Sequence, residues 1–158
     1  MAGSGRPGAD AYQRALGLLV RREHSRRDLT RKLAQRGIEP EEAQAAVERL
    51  AGQGYQDDDR FAASFARDRA AAGYGPVRIR VELSGHGLGE DAIQAALAAC
   101  ETDWAALARR QVERRHRPAE LADPARRRKV VEFLLRRGFD QESAWGAVRA
   151  APDAAADD

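Results

Sequence analysis

Leu33-Ala34-Gln35-Arg36-Gly37-Ile38 returns as Leu83-Ser84-Gly85-His86-Gly87-Leu88 and again as Leu134-Leu135-Arg136-Arg137-Gly138-Phe139. The closing glycines stand at 37, 87 and 138, a spacing of about 50 residues. An apolar frame travels with them. Leu29, Leu33, Ile38, Ala43 and Val47 correspond to Ile79, Leu83, Leu88, Ile93 and Leu97, and then to Val130, Leu134, Phe139, Ala144 and Val148. Self-similarity at a fixed period marks a row of stacked units instead of a single core. The fold read from it is all-α, with three tandem three-helix repeats forming an elongated, curved helical array. The repeats are assigned to residues 11–54, 55–100 and 101–150. Residues 1–10 are expected to form a disordered leader and 151–158 a disordered acidic tail.

Each repeat divides into helices a, b and c. Helix a is predicted over 11–22, 58–72 and 103–116, helix b over 26–36, 76–86 and 124–137, and helix c over 40–53, 90–100 and 141–150. Strand signals are missing, since no stretch sustains an alternation of period two. Capping residues sit at the expected borders. Ser25 stands three residues before Asp28, while Pro76 and Pro124 follow Gly75 and Asp123 and take the first helical position, where a missing N–H costs nothing. Gly37, Gly87 and Gly138 fit the left-handed position that closes a helix, with Ile38, Leu88 and Phe139 packing back on Leu33, Leu83 and Leu134.

The net charge of +2 conceals a pattern. The first helix b carries Arg26, Arg27, Arg31, Lys32 and Arg36, and the third carries Arg126, Arg127, Arg128, Lys129, Arg136 and Arg137. The second is milder, with Arg78 and Arg80 against Glu82. The c helices begin with acids: Glu41 and Glu42, Glu90 and Asp91, then Asp140 and Glu142. At 100° per residue Arg27 and Arg31 lie opposite Leu29 and Leu33, so they face solvent or a partner. A basic stripe repeated along a row of units suits a polyanion or the acidic groove of a repeating assembly. Helices b and c also resemble a helix-turn-helix, but carboxylates in the first turn of helix c would repel phosphates, which argues against duplex reading by that helix.

Catalytic chemistry finds no support. Asp57-Asp58-Asp59 diverge around a helix start and read as caps. His24, His86 and His116 fall near helix ends without metal-binding spacing, and no phosphate-cradling loop or nucleophile elbow is present. No cofactor or metal is expected. The single cysteine, Cys100, excludes an internal disulfide and is expected to be buried and inert in an alanine-rich helix. No apolar run approaches the roughly 20 residues of a membrane span, so a soluble cytoplasmic monomer is expected.

Four segments in this order resemble the RecX family of regulators of bacterial recombination. They are Arg22-Glu23-His24-Ser25 with Leu29 and Leu33, Gly54-Tyr55-Gln56-Asp57-Asp58-Asp59-Arg60-Phe61-Ala62, Gly73-Tyr74-Gly75-Pro76-Val77-Arg78-Ile79-Arg80-Val81-Glu82-Leu83, and Phe133-Leu134-Leu135-Arg136-Arg137-Gly138-Phe139. Two positions depart from the family pattern. Gln56 replaces an aliphatic residue, which is expected to loosen packing under the second helix a, and His116 stands where an aromatic is common. The resemblance implies a protein that lodges in the groove of the RecA–single-stranded-DNA filament and suppresses ATP hydrolysis and strand exchange, within DNA repair and the SOS response. Weak direct binding to single- or double-stranded DNA is the alternative it implies, and an adaptor for an unrelated protein is a third reading. The arginines expected to make the contact are Arg27, Arg31, Arg78, Arg80, Arg127, Arg128, Arg136 and Arg137.

Overall fold

Gly37, Gly87 and Gly138 adopt φ of 79°, 81° and 96°, the left-handed region anticipated for them, in a computed structural model that describes residues 8–149. Their N–H groups donate to the carbonyls of Ala34, Ser84 and Leu135, each at 3.0 Å. The amides of Ile38, Leu88 and Phe139 reach back to Leu33, Leu83 and Leu134 at 3.1, 3.4 and 3.1 Å. These paired bonds define a Schellman ending and satisfy carbonyls that the helix leaves open. The leader and tail expected at 1–10 and 151–158 lie mostly or wholly outside the described residues.

Nine α-helices result among the described residues, and no strand. Repeat 1 holds α1 (Ala9–Arg21), α2 (Arg26–Gln35) and α3 (Pro40–Gly52); repeat 2 holds α4 (Asp58–Ala71), α5 (Pro76–Gly85) and α6 (Glu90–Ala99). Repeat 3 holds α7 (Trp104–Arg115), α8 (Pro124–Arg136) and α9 (Gln141–Arg149), with a 3-10 turn at Pro118–Ala122 between α7 and α8. That turn occupies the long connection and pins it by burying Leu121 in the third core. Side-chain caps start α2, α4, α7 and α8. Ser25, Asp57, Asp103 and Asp123 accept from the amides of Asp28, Arg60, Ala106 and Ala125, each at 3.0 Å. Such a cap contributes about 1 kcal/mol.

Each repeat packs its first helix on its third and closes the wedge with its second. The travelling apolar frame becomes three cores. Leu29, Leu33, Ala43 and Val47 are buried in the first, Ile79, Leu83, Leu88 and Ile93 in the second, and Val130, Leu134, Phe139, Ala144 and Val148 in the third. Ile38 and Leu97 are only half-buried members of that frame. Truncating a buried leucine such as Leu29 to alanine costs roughly 2–5 kcal/mol.

Cys100 departs from its expected burial. It caps the end of α6, is half-buried, and donates its thiol to the Ala96 carbonyl at 3.4 Å. Burial still raises its pKa above the ordinary thiol value, more than the nearby Arg67 lowers it, so the thiol stays protonated and weakly nucleophilic.

Candidate functional site

The b helices meet end to end, and the two meetings differ in chemistry. Between repeats 2 and 3 the contact is backbone on backbone. Gly75 and Val77 at the head of α5 donate to the carbonyls of Arg137 and Gly138 at the tail of α8, at 2.8 and 2.9 Å. Orphan donors of one helix thus satisfy orphan acceptors of another, with opposite dipole ends together. Between repeats 1 and 2 the same meeting is made by side chains. Arg27 donates to the Gly85 carbonyl at 3.0 Å, and Ser25 Oγ lies 2.8 Å from His86 Nδ1.

A polar network surrounds that second junction. His24 and Asp28 are both buried, with His24 Nδ1 2.9 Å from the Asp28 carboxylate. A carboxylate only accepts, so His24 carries its proton on Nδ1. Burial alone would raise the Asp28 pKa, but hydrogen bonds from His24 and Arg31 and the charge of Lys32 hold it down to about 2. His86 moves below its ordinary 6.5, because burial outweighs the attraction of Asp28. Gln56 is 2% exposed and donates to the His24 carbonyl at 3.3 Å and to Asp58 at 2.9 Å. The expected loosening at Gln56 is therefore replaced by a cross-repeat link. Asp58 also accepts from the Arg26 amide at 3.0 Å, and Arg60 pairs with Glu23 at 2.6 Å. Asp58 thus joins two repeats as well as belonging to the first turn of α4.

The eight arginines singled out from the sequence do not form one uniform stripe. Arg27 and Arg31 line a groove of about 1050 Å³ between repeats 1 and 2, with Ala34, Pro40, Phe65 and Arg69. Arg31 is paired with Asp28 at 2.6 Å, Arg78 with Glu82 at 2.9 Å, and Arg80 with Glu90. Positions equivalent to Arg27 and Arg31 in the middle repeat are Val77 and Val81, both exposed. On α8, Arg128 and Arg136 are exposed and Arg127 is half-buried; none of the three makes an ion pair among the described residues. Arg137 lies over two rings, 4.6 Å from the centre of Tyr74 and 5.4 Å from that of Phe133.

Sequence reasoning missed the neighbours of Arg137. Arg126, Lys129, Val130, Phe133 and Arg137 follow helical spacing along one side of α8, with Arg136 two turns beyond Lys129 at its edge, whereas Arg127 and Arg128 point from other sides. Counting arginines per helix hid this, and tracing them by angle would have found it. Tyr74 collects three guanidiniums, with Arg69 at 4.8 Å and Arg78 at 4.4 Å besides Arg137, and Arg115 covers Phe133 at 4.6 Å. Among the described residues, no group of three or more His, Cys, Asp or Glu side chains is placed to hold a metal ion.

Comparison with known proteins places the whole array. The family models for the first, second and third three-helix domains of RecX match residues 11–50, 57–97 and 101–148. The regulatory protein RecX of Xanthomonas campestris pv. campestris (strain B100) is 59% identical over 137 residues, covering 87% of this chain and 85% of the relative. That of Stenotrophomonas maltophilia (strain R551-3) is 55% identical over 141 residues, covering 89% and 86%. A crystal structure of regulatory protein RecX superposes with a TM-score of 0.68 at 27% identity, covering 87% of this chain and 69% of that one. A crystal structure of RecX from Lactobacillus salivarius gives a TM-score of 0.76, covering 92% and 96%; at 20% identity it is a likeness in fold.

Proposed function

This chain belongs to the RecX family of regulatory proteins, and on that premise we propose that it binds the RecA–single-stranded-DNA filament and restrains ATP hydrolysis and strand exchange. It acts by occupancy and not by chemistry, as a cytoplasmic monomer without a cofactor, in recombination, repair and the SOS response. The observation that carries this reading is the groove between repeats 1 and 2. Ala34, Pro40, Ala43 and Phe65 give it an apolar lining, and its charged walls are Arg27, Arg31 and Arg69 with the carboxylates of Asp28 and Glu82 that pair with Arg31 and Arg69. An apolar floor with charged walls suits a protein surface better than a bare phosphate chain. The repeats 11–54, 55–100 and 101–150 then act as linked contact modules, joined by hydrogen-bonded junctions. Several weak contacts with successive protomers of a helical polymer reinforce one another when the modules hold their spacing.

The test is RecA's single-stranded-DNA-dependent ATPase with substoichiometric amounts of this protein added. Hydrolysis and strand exchange are expected to fall, and to recover with the Arg27→Glu/Arg31→Glu variant. Unchanged hydrolysis and exchange with the wild-type chain would overturn the proposal.

A further inference from the structure

Repeat 3 holds a second concavity, of about 540 Å³, between the end of α7 and the first half of α8. Arg115, His116, Arg126 and Lys129 surround it, and Val130 and Phe133 floor it. One carboxylate stands near, Glu120, 3.3 Å from His116 and 3.8 Å from Arg126. Three permanent cations against one acid leave a positive surplus. The rest of the repeat does not cancel it, since residues 101–149 hold 12 arginines and lysines against 8 acids. The chain then reverses sign. Residues 150–158 bring Asp153, Asp157 and Asp158 and no base, spaced by Pro152 and alanines. These nine residues lie beyond the described ones, but the point they leave from is set. Val148, one residue before the end of α9, is buried in the same core as Val130, which also lines the concavity. Nine extended residues span up to roughly 30 Å. The longest helix of the repeat, α8, has 13 residues and measures about 20 Å. The concavity is within reach of the segment.

We infer that the acidic segment 150–158 docks across this concavity of its own chain, its aspartates on Arg115, Arg126 and Lys129 and its proline and alanines over Val130 and Phe133. Exposed ion pairs are weak one at a time. A tether this short, however, holds the segment at an effective concentration on the order of millimolar, so weak contacts are enough. An acidic segment of another molecule lacks that advantage. The competing basic surfaces fit less well. The hollow lined by Arg14, Arg21, Lys32 and Arg36 lies in repeat 1, at the other end of the array, and the groove between repeats 1 and 2 already carries Asp28 and Glu82. The docked segment screens three cations of repeat 3 from other anions. It is a built-in restraint on the charge-driven contacts of that repeat, separate from the filament reading, which rests on repeats 1 and 2.

The experiment places a nitroxide spin label at Ala155→Cys in a Cys100→Ser background and reads the broadening of amide signals in the isotope-labelled full chain. The amides of Arg126, Lys129 and Phe133 are expected to broaden. Asp153→Asn/Asp157→Asn/Asp158→Asn is expected to abolish that broadening, and so, separately, is Arg115→Gln/Arg126→Gln/Lys129→Gln. Arg110→Gln/Arg127→Gln/Arg128→Gln removes the same charge from side chains that do not line the concavity, and is expected to leave the broadening in place. Circular dichroism melting checks that each variant is folded. The screening is read with inorganic polyphosphate as the probe. The three-aspartate variant is expected to bind it at least about threefold more tightly than the wild-type chain. Glu41→Gln/Glu42→Gln/Glu48→Gln removes as much negative charge from α3 and is expected to gain less. Four results would overturn the inference: no broadening on α8, broadening that survives neutralisation of either charge set, broadening passed to an isotope-labelled copy that lacks the spin label, or equal gains in polyphosphate affinity from the two acidic triples. RecA inhibition enters none of these readings, so this inference and the filament reading fail independently.

Discussion

The Gly75 amide donates to the Arg137 carbonyl at 2.8 Å, so the head of α5 is capped by the tail of α8. The approach is close enough that neither partner glycine has room for a side chain. A Cβ on Gly75 would stand 2.4 Å from the Gly138 carbonyl oxygen, and one on Gly138 would stand 2.3 Å from the Arg78 Cβ. Gly138 therefore does two things that its counterpart Gly37 does not combine: it turns the chain, and it lets another helix dock.

That difference gives the first prediction. A Cβ at Gly37 meets nothing within 4 Å, so Gly37→Ala suffers only the left-handed backbone penalty of about 1 kcal/mol. Gly138→Ala suffers that penalty and also forces α5 and α8 apart, and is expected to cost at least about twice as much. Urea unfolding of the two variants measures this, and equal losses would mean that the inter-repeat contact carries no energy.

The pH dependence follows from the junction between repeats 1 and 2. His86 has its pKa lowered in the fold, so below about 6.5 the unfolded chain takes up the proton first and stability falls as pH falls. Asp28 is also lowered, from 3.8 to about 2. Its stabilisation is intact above pH 3.8 and is lost as pH falls from there to about 2. The loss is on the order of 2 kcal/mol. Stability measured by urea titration from neutral pH downward should show both declines. His86→Gln should flatten the first and Asp28→Asn the second. Profiles indistinguishable from wild type would remove these two groups from the account.

Much of this fold was legible before any coordinates, and the reason is periodicity. Leu29, Leu33, Ala43 and Val47 share a helical spacing with their counterparts, and spacing alone puts them on one face and in one core. Gly37, Gly87 and Gly138 were legible because a left-handed helix ending has a local signature. The junctions were not, since they join residues distant along the chain. Nothing near Gln56 announces that it will meet the His24 carbonyl, and nothing near Ser25 announces His86. The candidate site was half legible. Arg27 and Arg31 were placed facing outward by angle, while Arg126 and Lys129 were passed over because helix totals do not say which side of α8 a charge occupies.

Gln56 offers a test of a junction that local pattern misread. Gln56→Leu installs the aliphatic side chain expected here from the sequence, yet it would leave the buried His24 carbonyl without its side-chain donor and Asp58 with the Arg26 amide alone. An unsatisfied buried acceptor costs about 1–3 kcal/mol, against a smaller gain from the extra apolar area. The variant is therefore expected to be destabilised by about 1 kcal/mol. A midpoint in urea equal to or above that of the wild type would show that the link between repeats 1 and 2 does not depend on this amide.

Tyr74 carries the last prediction, because three guanidiniums converge on its ring from two repeats. Arg69 and Arg78 belong to repeat 2 and share Glu82, while Arg137 comes from repeat 3. The Tyr74 hydroxyl makes no hydrogen bond among the described residues, so the ring face is what the arginines use. Tyr74→Phe keeps that face and should lie within about 0.5 kcal/mol of wild type, whereas Tyr74→Leu should cost about 1–2 kcal/mol. Arg137→Met removes the cation and keeps most of the stem. Combined with Tyr74→Leu, it should cost less than the two changes taken singly, because the contact can be lost only once. Equal effects of Phe and Leu, or strict additivity with Arg137→Met, would show that the ring acts only as apolar bulk between repeats 2 and 3.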